Sequence, residues 1–566
     1  MSKLPYCIFR VKDGHGWSVY ASLFLLLLPV FLAFLYVSLF GVNGVFGDQW
    51  NIVFLFPKLV SGKLTYADLF AQHNEHRIFF PLIFMLLLGE ATHYSNVVEM
   101  YVVVVLFTVS WTVLLWGTKG PSDRVSGRAV WGLIPVSFLL FTWRQSTNML
   151  AGFQITYAFV QTFGLLSVCL VSRLAGSDGP RRRTAYLFFS ILSAVIASFS
   201  SAMGLAVWIA GLLLLAAHRP KEGGKIGWPL MAWLAGGSLT WLVYFVGFHA
   251  PASTRIFHFL LEPRKVFAYF FAVCGGWSVW NSTPSMIAGF VTVSLFFACL
   301  IAIHKADRLD ENLIWIGTGL FSLFTMGLIT VGRYGYGTHE ALSSRYVTMS
   351  VLMVIAVYAL LVDLLMHGRG KAIRLMTYTA VFMIAISVPL SFFYGYHVGR
   401  KDMIQRERDA CILYNYRSEP PELLAELYPV PQAIPAWADI LKKLDYNVFY
   451  YRPRYVDHCD RIGKARGWAV GTQNVLSQRE PYRYDHPYID RVAVRRDRRK
   501  APLSDRVDCG FIEYGDRSQK LYLLYSPVRP YECLQYHYTL RALSPRLDGV
   551  DRILELDERR LTVELV

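Results

Sequence analysis

The stretch SVYASLFLLLLPVFLAFLYVSLFG, residues 18–41, contains no Asp, Glu, Lys or Arg. A helix needs about 20 consecutive apolar residues to cross about 30 Å of hydrocarbon, so this run predicts a membrane-spanning helix. Arg10 and Lys12 precede the run, and no convincing small-residue cleavage site follows it. We therefore predict a retained membrane anchor and not a removed signal peptide.

The composition extends this interpretation to most of the chain. The 566 residues are 54% hydrophobic and 17% charged, whereas about a quarter of the residues in a soluble domain are charged. The formal charge of +16 could indicate nucleic acid. However, much of it lies in short loops between apolar runs and in the C-terminal tail, and no nucleic-acid-binding motif is recognisable. The sequence therefore predicts a bilayer as partner and no nucleic acid.

Apolar runs of sufficient length recur from residue 18 to about residue 396. They predict spans at 18–41, 97–117, 128–143, 151–172, 184–200, 203–217, 226–247, 284–303, 312–331, 346–366 and 374–396. The predicted fold class is thus an all-α polytopic membrane bundle of about 11–12 transmembrane helices. The run at 78–91 is short, and we predict a re-entrant or half-spanning segment buried in protein or lining a polar cavity. The run at 266–281 is ambiguous in the same way.

The distribution of Lys and Arg predicts the orientation of the spans. The loops TKGPSDRVSGR, RLAGSDGPRRR, HRPKEGGK and HGRGKAIR fall at every second connection. Basic residues near span ends are retained in the cytoplasm, which places the N-terminus inside and the tail outside. The connections predicted on the outer face are 42–77, 143–151, 200–203, 248–283 and 332–345.

The tail has a different composition from the rest of the chain. We predict a transmembrane domain at 1–396, with its outer loop at 42–77, and a small extracytoplasmic α+β domain at 397–566. PAWADILKKLDYN indicates an amphipathic helix, and KLYLLYS and RLTVELV indicate strands. The tail cysteines are Cys411, Cys459, Cys509 and Cys533. They could form two disulfides in three pairings, or remain reduced and buried.

Titratable residues collect in the first outer loop. Asp48 lies just past the first span, and LFAQHNEHRIFF contains Glu75. Carboxylates at a membrane boundary can act as general bases, so Asp48 and Glu75 are candidate catalytic residues. The alternative is that both are solvated loop residues or helix caps. The neighbouring residues His73, His76 and Arg77 are candidate substrate-binding residues.

A metal site in this loop is not favoured. His73 and His76 have the spacing H-x-x-H, not the H-E-x-x-H that places two ligands and a base on one helix. A histidine-rich turn is also a good hydrogen-bonding cluster, and no cysteine or second histidine pair supports a metal. We therefore predict no cofactor, with a divalent metal as the less favoured alternative.

A second polar segment, GRYGYGTHEALSSRY, lies between two late spans. It contains Arg333, His339, Glu340, Arg345 and Tyr346, all candidate substrate-binding residues. Guanidinium groups match phosphate oxygens in a bidentate way, which makes a lipid-linked phosphate a natural partner. The alternative is that Arg345 reaches ordinary headgroups or pairs with Glu340.

Two further segments are predicted on the same face. WRQSTNMLAGFQ contains Arg144, for which an ordinary position at a helix end is slightly favoured over a ligand. SFSSAMG is a turn of small residues, which could simply let two helices approach closely.

The motifs together resemble the GT-C superfamily of polytopic glycosyltransferases. The resemblance depends on Asp48 and on AQHNEHRIFFP, GFQITYAF, SFSSAMGL and GRYGYGTHEALSSRYVTMS. ACILYNYRSEPPELLAELYPVPQAIPAWADILKKLDYNVFY also looks like the tails of uncharacterised bacterial members. The resemblance implies a GT-C-like fold and a polyprenyl-phosphate-linked sugar donor. It further implies that Asp48 is the base and that Arg333 and Arg345 hold the lipid phosphate.

The implied reaction is an inverting sugar transfer at the outer face of a bacterial cytoplasmic membrane. The acceptor would be a lipid-linked or cell-envelope glycan, such as a lipopolysaccharide, and the tail would be periplasmic. A transporter or flippase of lipid-linked saccharides is the alternative. Transporters often contain internal repeats and broken helices at the midplane. We find no repeat, and the polar clusters lie at one face, so the sequence favours the enzyme.

Overall fold

The computed structural model describes the chain at 16–118, 127–175, 179–217, 227–249, 260–278, 281–368, 370–417, 419 and 421–453, and three strands beyond them. The helices are α1 Gly16–Phe40, α2 Trp50–Val53, α3 Phe56–Val60, α4 Tyr66–Phe70, α5 Phe79–Ala91, α6 Asn96–Gly117, α7 Gly127–Leu140, α8 Ser146–Leu150, α9 Ile155–Ala175, α10 Pro180–Ser198, α11 Ala206–Ala217, α12 Gly227–Phe245, α13 Pro263–Cys274, α14 Ser282–Lys305, α15 Leu313–Arg333, α16 Ser344–His367, α17 Lys371–Tyr414, α18 Pro421–Leu427, α19 Ile434–Leu444 and α20 Val448–Tyr451.

Short 3₁₀ turns and strands complete the described structure. The turns are Gly47–Gln49, Trp143–Gln145, Gly152–Gln154, Ala202–Leu205, Asp310–Asn312, Tyr334–Tyr336, Glu340–Leu342 and Pro431–Ala433. The strands are β1 Gln72–His73, β2 His76–Arg77, β3 Val492–Arg496, β4 Ile553–Leu556 and β5 Leu561–Leu565.

Each of the eleven predicted spans coincides with a helix. In the described part of the chain, seven helices are long and apolar enough to cross a membrane, namely α1, α6, α9, α14, α15, α16 and α17. In hydrocarbon every backbone N–H and C=O must be paired within the segment, which is why such runs fold as helices. The prediction of a polytopic helical membrane protein is confirmed. The four other predicted spans, α7, α10, α11 and α12, are shorter or less apolar.

The two ambiguous runs form short helices. The helix α5 has 13 residues and α13 has 12. At 1.5 Å per residue each is about 20 Å long or less, which is short of the roughly 30 Å of hydrocarbon. By contrast, α17 has 44 residues and continues past residue 396, the predicted end of the transmembrane domain. Residues 397–414, the part of α17 beyond the last apolar run, include no proline that would remove a helical hydrogen bond.

The described residues belong to two compact units. The first comprises Met1–Val42 and Asn51–Lys401. Among its candidate spans, α9 and α16 are the most buried, since 83% and 78% of their most apolar stretches lie inside the protein. The corresponding share is 33% in both α1 and α14. Helices α9, α15 and α16 therefore form the centre of this unit. Large apolar side chains on α1 and α14, such as Phe31 and Phe290, are exposed, which is expected for surfaces that face lipid.

The second unit comprises Asn43–Trp50 and Asp402–Val566. Trp50 stacks on Trp437, with ring centroids 5.9 Å apart. The strands form an antiparallel sheet in the order β3-β5-β4. The amphipathic helix expected from PAWADILKKLDYN is present as α19, and the strand expected from RLTVELV is present as β5.

Two expectations for the tail involve residues outside the described ranges. The predicted strand KLYLLYS is one of them. Cys411 is buried, but Cys459, Cys509 and Cys533 lie outside the described residues, so the disulfide alternatives stay predictions.

Candidate functional site

A two-stranded hairpin between α4 and α5 positions Glu75. Strands β1 and β2 pair antiparallel, with His73 opposite His76. Asn74 and Glu75 form the connection, and Asn74 has a φ of 51°, a left-handed conformation that asparagine tolerates better than most residues. Although it lies at the turn, Glu75 is buried, with an exposed fraction of 9%. The reason is that the hairpin packs against the helix bundle.

Arg77 fixes the hairpin to the end of α12. Its Nε donates to the carbonyl oxygen of Tyr244 at 2.7 Å, and its Nη1 donates to the carbonyl oxygen of Phe70 at 2.6 Å. Its Nη2 donates to the carbonyl oxygen of Val246. The carbonyls in the last turn of a helix lack partners within that helix, and a cation there is favourable. Arg77 therefore has a structural role in the fold, and its role in substrate binding stays a prediction.

The phenol of Tyr244 reinforces the same junction. Its hydroxyl donates to the carbonyl oxygen of Glu75 at 3.1 Å and accepts from the backbone N–H of Arg77 at 3.2 Å. Both backbone groups beside the hairpin turn are thus paired, as buried polar groups require. These hydrogen bonds position the backbone of Glu75, and with it the starting point of its side chain.

His76 connects the hairpin to the turn between α10 and α11. The backbone N–H of Ala202 lies 3.3 Å from His76 Nδ1, and Ser201 Oγ lies 3.4 Å from the same nitrogen. A backbone N–H can only donate, so Nδ1 is an acceptor and the neutral ring carries its proton on Nε2. His76 Nε2 lies 3.4 Å from Glu75 Oε1. The ring therefore presents an N–H towards the Glu75 carboxylate.

The SFSSAMG turn needs its glycine for a close backbone approach. A Cβ at Gly204 would lie 1.9 Å from the carbonyl oxygen of Ala197. Beside this turn, Phe199 and Leu205 pack with Tyr244 in a buried apolar cluster. The turn is thus a rigid support for His76 and for the hairpin, and its small residues have the packing role that the sequence left open.

Glu75 forms an ion pair with Arg333, the last residue of α15. Arg333 Nη2 donates to Glu75 Oε1, and the side chains of Glu75 and Arg333 are 11% and 21% exposed. The contacts from Arg333 and His76 both fall on Oε1. Among the described residues, Glu75 Oε2 accepts no hydrogen bond from a side chain or backbone group. One carboxylate oxygen is therefore fixed by the protein and the other is available to a ligand.

A second ion pair lies in the segment that follows α15. Arg345 Nη2 donates to Glu340 Oε1, and the hydroxyl of Tyr346 donates to the same oxygen at 3.4 Å. The guanidinium of Arg345 also lies over the ring of Tyr346, 5.1 Å from its centroid. Arg345 thus pairs with Glu340, as one of the two interpretations of the sequence expects. Its Nε is buried and has no hydrogen-bond partner in the described structure.

The two ion pairs belong to one electrostatic cluster. Tyr157 on α9 interacts electrostatically with both arginines and with Glu75. The positive charges of Arg333 and Arg345 also act on each other. We define the site cluster as Glu75, Arg333, Glu340, Arg345 and Tyr157. Its two carboxylates and two guanidinium groups balance in charge.

Tyr157 was not singled out from the sequence. Its ring is buried, with an exposed fraction of 9%. The only sequence signal was its position in GFQITYAF, a segment that contributed to the family resemblance without a role for this tyrosine. Its significance depends on the helices that surround it.

The segment that contains Arg144 supports the second ion pair. Asn148 Nδ2 donates to the carbonyl oxygen of Arg345 at 2.9 Å. Arg144 is 3% exposed and its Nη2 donates to the carbonyl oxygen of Leu342 at 3.0 Å. These two hydrogen bonds hold the backbone at Leu342 and Arg345 in place. Two segments that the sequence presented as separate signals are therefore one structural element.

The remaining candidate residues lie elsewhere. His73 packs against Phe153, with ring centroids 5.1 Å apart, and His339 is exposed. Asp48 lies in the 3₁₀ turn Gly47–Gln49, which belongs to the second unit. The structure thus joins Glu75 to Arg333, whereas the role of Asp48 stays a prediction. Within the described ranges, no group of three or more His, Cys, Asp and Glu side chains could hold a metal ion.

No protein-family model matches the chain, and no curated protein matches its sequence. A solved structure of the archaeal oligosaccharyltransferase AglB from Archaeoglobus fulgidus, in complex with an inhibitory peptide and a dolichol-phosphate, is similar at 13% identity and a TM-score of 0.38. The match covers 74% of this chain and 61% of that chain. The chain thus spans less than two thirds of the length of that structure.

Proposed function

We propose that the protein is a membrane-embedded glycosyltransferase of the GT-C type. It transfers a sugar from a polyprenyl-phosphate donor to a lipid-linked or cell-envelope glycan at the outer face of a bacterial cytoplasmic membrane. The observation that carries the proposal is the Glu75–Arg333 pair, in which a carboxylate and a guanidinium meet at the end of an apolar helix bundle. The resemblance of the sequence motifs to GT-C enzymes supports it.

In this proposal the arginines bind the donor phosphate. Arg333 and Arg345 lie within electrostatic range of each other, and their present partners are carboxylates. A phosphate carries negative charge, as a carboxylate does, and two of its oxygens can accept hydrogen bonds from one guanidinium group. A phosphate can therefore replace a carboxylate as the partner of an arginine. When the donor binds, its phosphate would therefore replace Glu75 as the ion-pair partner of Arg333. The polyprenyl chain would remain among apolar side chains of the bundle or in the bilayer.

Glu75 then acts as the general base. Glu75 Oε2, which has no described hydrogen bond, accepts the proton of the acceptor's hydroxyl group. At the same time the hydroxyl oxygen attacks the anomeric carbon of the donor sugar. The bond from that carbon to the phosphate oxygen breaks, and its electron pair stays on the polyprenyl phosphate. Arg333 and Arg345 stabilise the charge that develops there. Positioned proton transfer of this kind contributes about 10²–10⁴-fold to a rate.

Asp48 remains the second candidate base, because the resemblance assigns that role to an acid in the first outer loop. The two assignments can be separated by mutation. If Glu75 is the base, Glu75→Gln removes turnover and Asp48→Asn retains it, and the reverse result would assign the base to Asp48. Glu90→Gln, at an exposed position on α5, is the matched control and should retain activity.

The experiment uses full-length protein in proteoliposomes with labelled polyprenyl-phosphate sugars and a glycan-bearing acceptor lipid. Labelled product in the wild type, lost in Glu75→Gln and retained in Glu90→Gln, is the expected result. If labelled lipid crossed the bilayer and no sugar were transferred, the protein would be a flippase and the proposal would be wrong. Repeating the assay with and without a chelator tests whether a divalent metal takes part.

A further inference from the structure

We propose that a groove at the opposite end of the bundle binds an anionic phospholipid, with one acyl chain in the groove and the headgroup phosphate on Lys305. A cavity of about 440 Å³ lies between the ends of α11 and α14 and the start of α15. This volume is within the range of pockets that hold small ligands. The lining is mainly aliphatic and includes Leu213, Ala217, Ile301, Leu309, Leu313 and Ile316.

The groove is separate from the site cluster. Leu313, in the groove, and Arg333, in the site cluster, are the first and last residues of α15, which has 21 residues. At 1.5 Å per residue these ends are about 30 Å apart. The two sites therefore lie at opposite ends of one helix. The lipid site does not depend on the proposed sugar transfer.

The groove is open on its outer side. Leu213 and Ile301 line it and are 40% and 58% exposed, although both are large aliphatic residues. An open aliphatic groove in a membrane-spanning bundle is accessible to an acyl chain from the side. A water-soluble ligand would gain little from such a surface, because the lining offers few polar partners.

The chemistry at one end of the groove selects the headgroup. His304 and Lys305 occupy the last turn of α14, and both side chains line the groove. Arg308, which is close in sequence, is already held by Asp363 through contacts of 2.9 and 2.7 Å. Among the described residues that line the groove, Lys305 is thus the lysine that can meet a phosphate, and Asp307 does not line the groove.

The predicted orientation points to an anionic lipid. Ala217 is followed in the sequence by HRPKEGGK, one of the basic connections that the distribution of Lys and Arg places in the cytoplasm. Basic side chains near the cytoplasmic surface attract anionic lipids by about 1 kcal/mol each. An ammonium beside an open aliphatic groove therefore matches a lipid with a negatively charged headgroup better than a zwitterionic one.

The test compares two lipids on purified full-length protein in a neutral detergent. Phosphatidylglycerol should raise the unfolding temperature and remain bound in native mass spectrometry, and phosphatidylcholine should do so less. Lys305→Ala should weaken phosphatidylglycerol binding about fivefold. Ala217→Trp, which fills the groove, should abolish it. Lys371→Ala, at an exposed lysine outside the groove, should bind as the wild type does.

Three results would overturn the proposal. They are equal stabilisation by the two lipids, an equal loss of binding in Lys371→Ala and Lys305→Ala, and an equal shift with glycerol 3-phosphate, which has no acyl chain. If Ala217→Trp does not yield folded protein, Ile301→Gln places an amide at an exposed lining position and should likewise weaken binding. Unchanged binding in that variant would also contradict the proposal.

Discussion

Arg333 Nη2 and His76 Nε2 converge on the same carboxylate oxygen of Glu75. The hydrogen bond from Ala202 to His76 Nδ1 determines which ring nitrogen carries the proton. Before a donor binds, Arg333 and His76 thus both lie at one carboxylate oxygen, while the other oxygen is left to a ligand. In the proposed reaction the donor phosphate replaces Glu75 on Arg333, and His76 stays beside the carboxylate that accepts the proton.

Replacement of Arg333 tests the phosphate clamp. Arg333→Lys keeps the positive charge but removes the planar fork that binds two phosphate oxygens. We expect the KM for the polyprenyl-phosphate donor to rise about tenfold, since one good charge-assisted hydrogen bond is worth about 1.5 kcal/mol. The value of kcat should change less. Arg264→Lys, at an exposed arginine, is the control. An unchanged KM in Arg333→Lys would remove Arg333 from the donor site.

Replacement of Arg77 tests its structural role. Arg77→Met keeps much of the aliphatic stem but leaves the carbonyls of Phe70, Tyr244 and Val246 without their donor. We expect the free energy of unfolding to fall by about 3 kcal/mol. Thermal unfolding in detergent measures this, with Lys63→Met at an exposed lysine as the control. Unaltered stability together with lost donor binding would instead place Arg77 in the substrate site.

The tight turn before α11 makes a further prediction. Gly204→Ala places a methyl group where the carbonyl oxygen of Ala197 would be 1.9 Å away, so the turn must shift and move Ala202 away from His76. We expect a lower unfolding temperature and a clear loss of transferase activity. Gly327→Ala in α15 is the matched control, because nothing lies within 4 Å of its added methyl group. Equal behaviour of the two variants would show that the turn tolerates the change.

The hydrogen bonds of Asp68 should make the stability of the folded protein depend on pH. Its hydrogen bond with Lys58, together with those from Thr65, lowers the pKa of Asp68 from 3.8 to about 2. A carboxylate with a lowered pKa in the folded state stabilises the fold above its ordinary pKa, and that stabilisation is lost as the pH falls towards the folded value. The difference in unfolding temperature between the wild type and Asp68→Asn should therefore be constant from pH 7 to about 5 and shrink between about 4 and 2. A difference that stays constant over the acid range would contradict this assignment.

The sequence by itself determined the membrane-embedded helices. Runs such as 18–41 leave the chain no other way to pair its backbone groups in hydrocarbon, so local composition was sufficient. It also identified the polar segments around Glu75 and Arg333. It did not determine the extent of α17, because helix formers continue past the last apolar residue and composition alone does not mark the helix end.

Only the tertiary structure decided which polar groups meet. Glu75 and Arg333 are 258 residues apart in the chain, and nothing in their local sequences specifies the pairing. The same holds for Arg77, whose partners are backbone carbonyls that every residue possesses, and for Tyr157, whose neighbours come from other helices. Such contacts depend on how the helices pack, and a linear pattern of hydrophobicity records which face of a helix is buried but not which residue it is buried against.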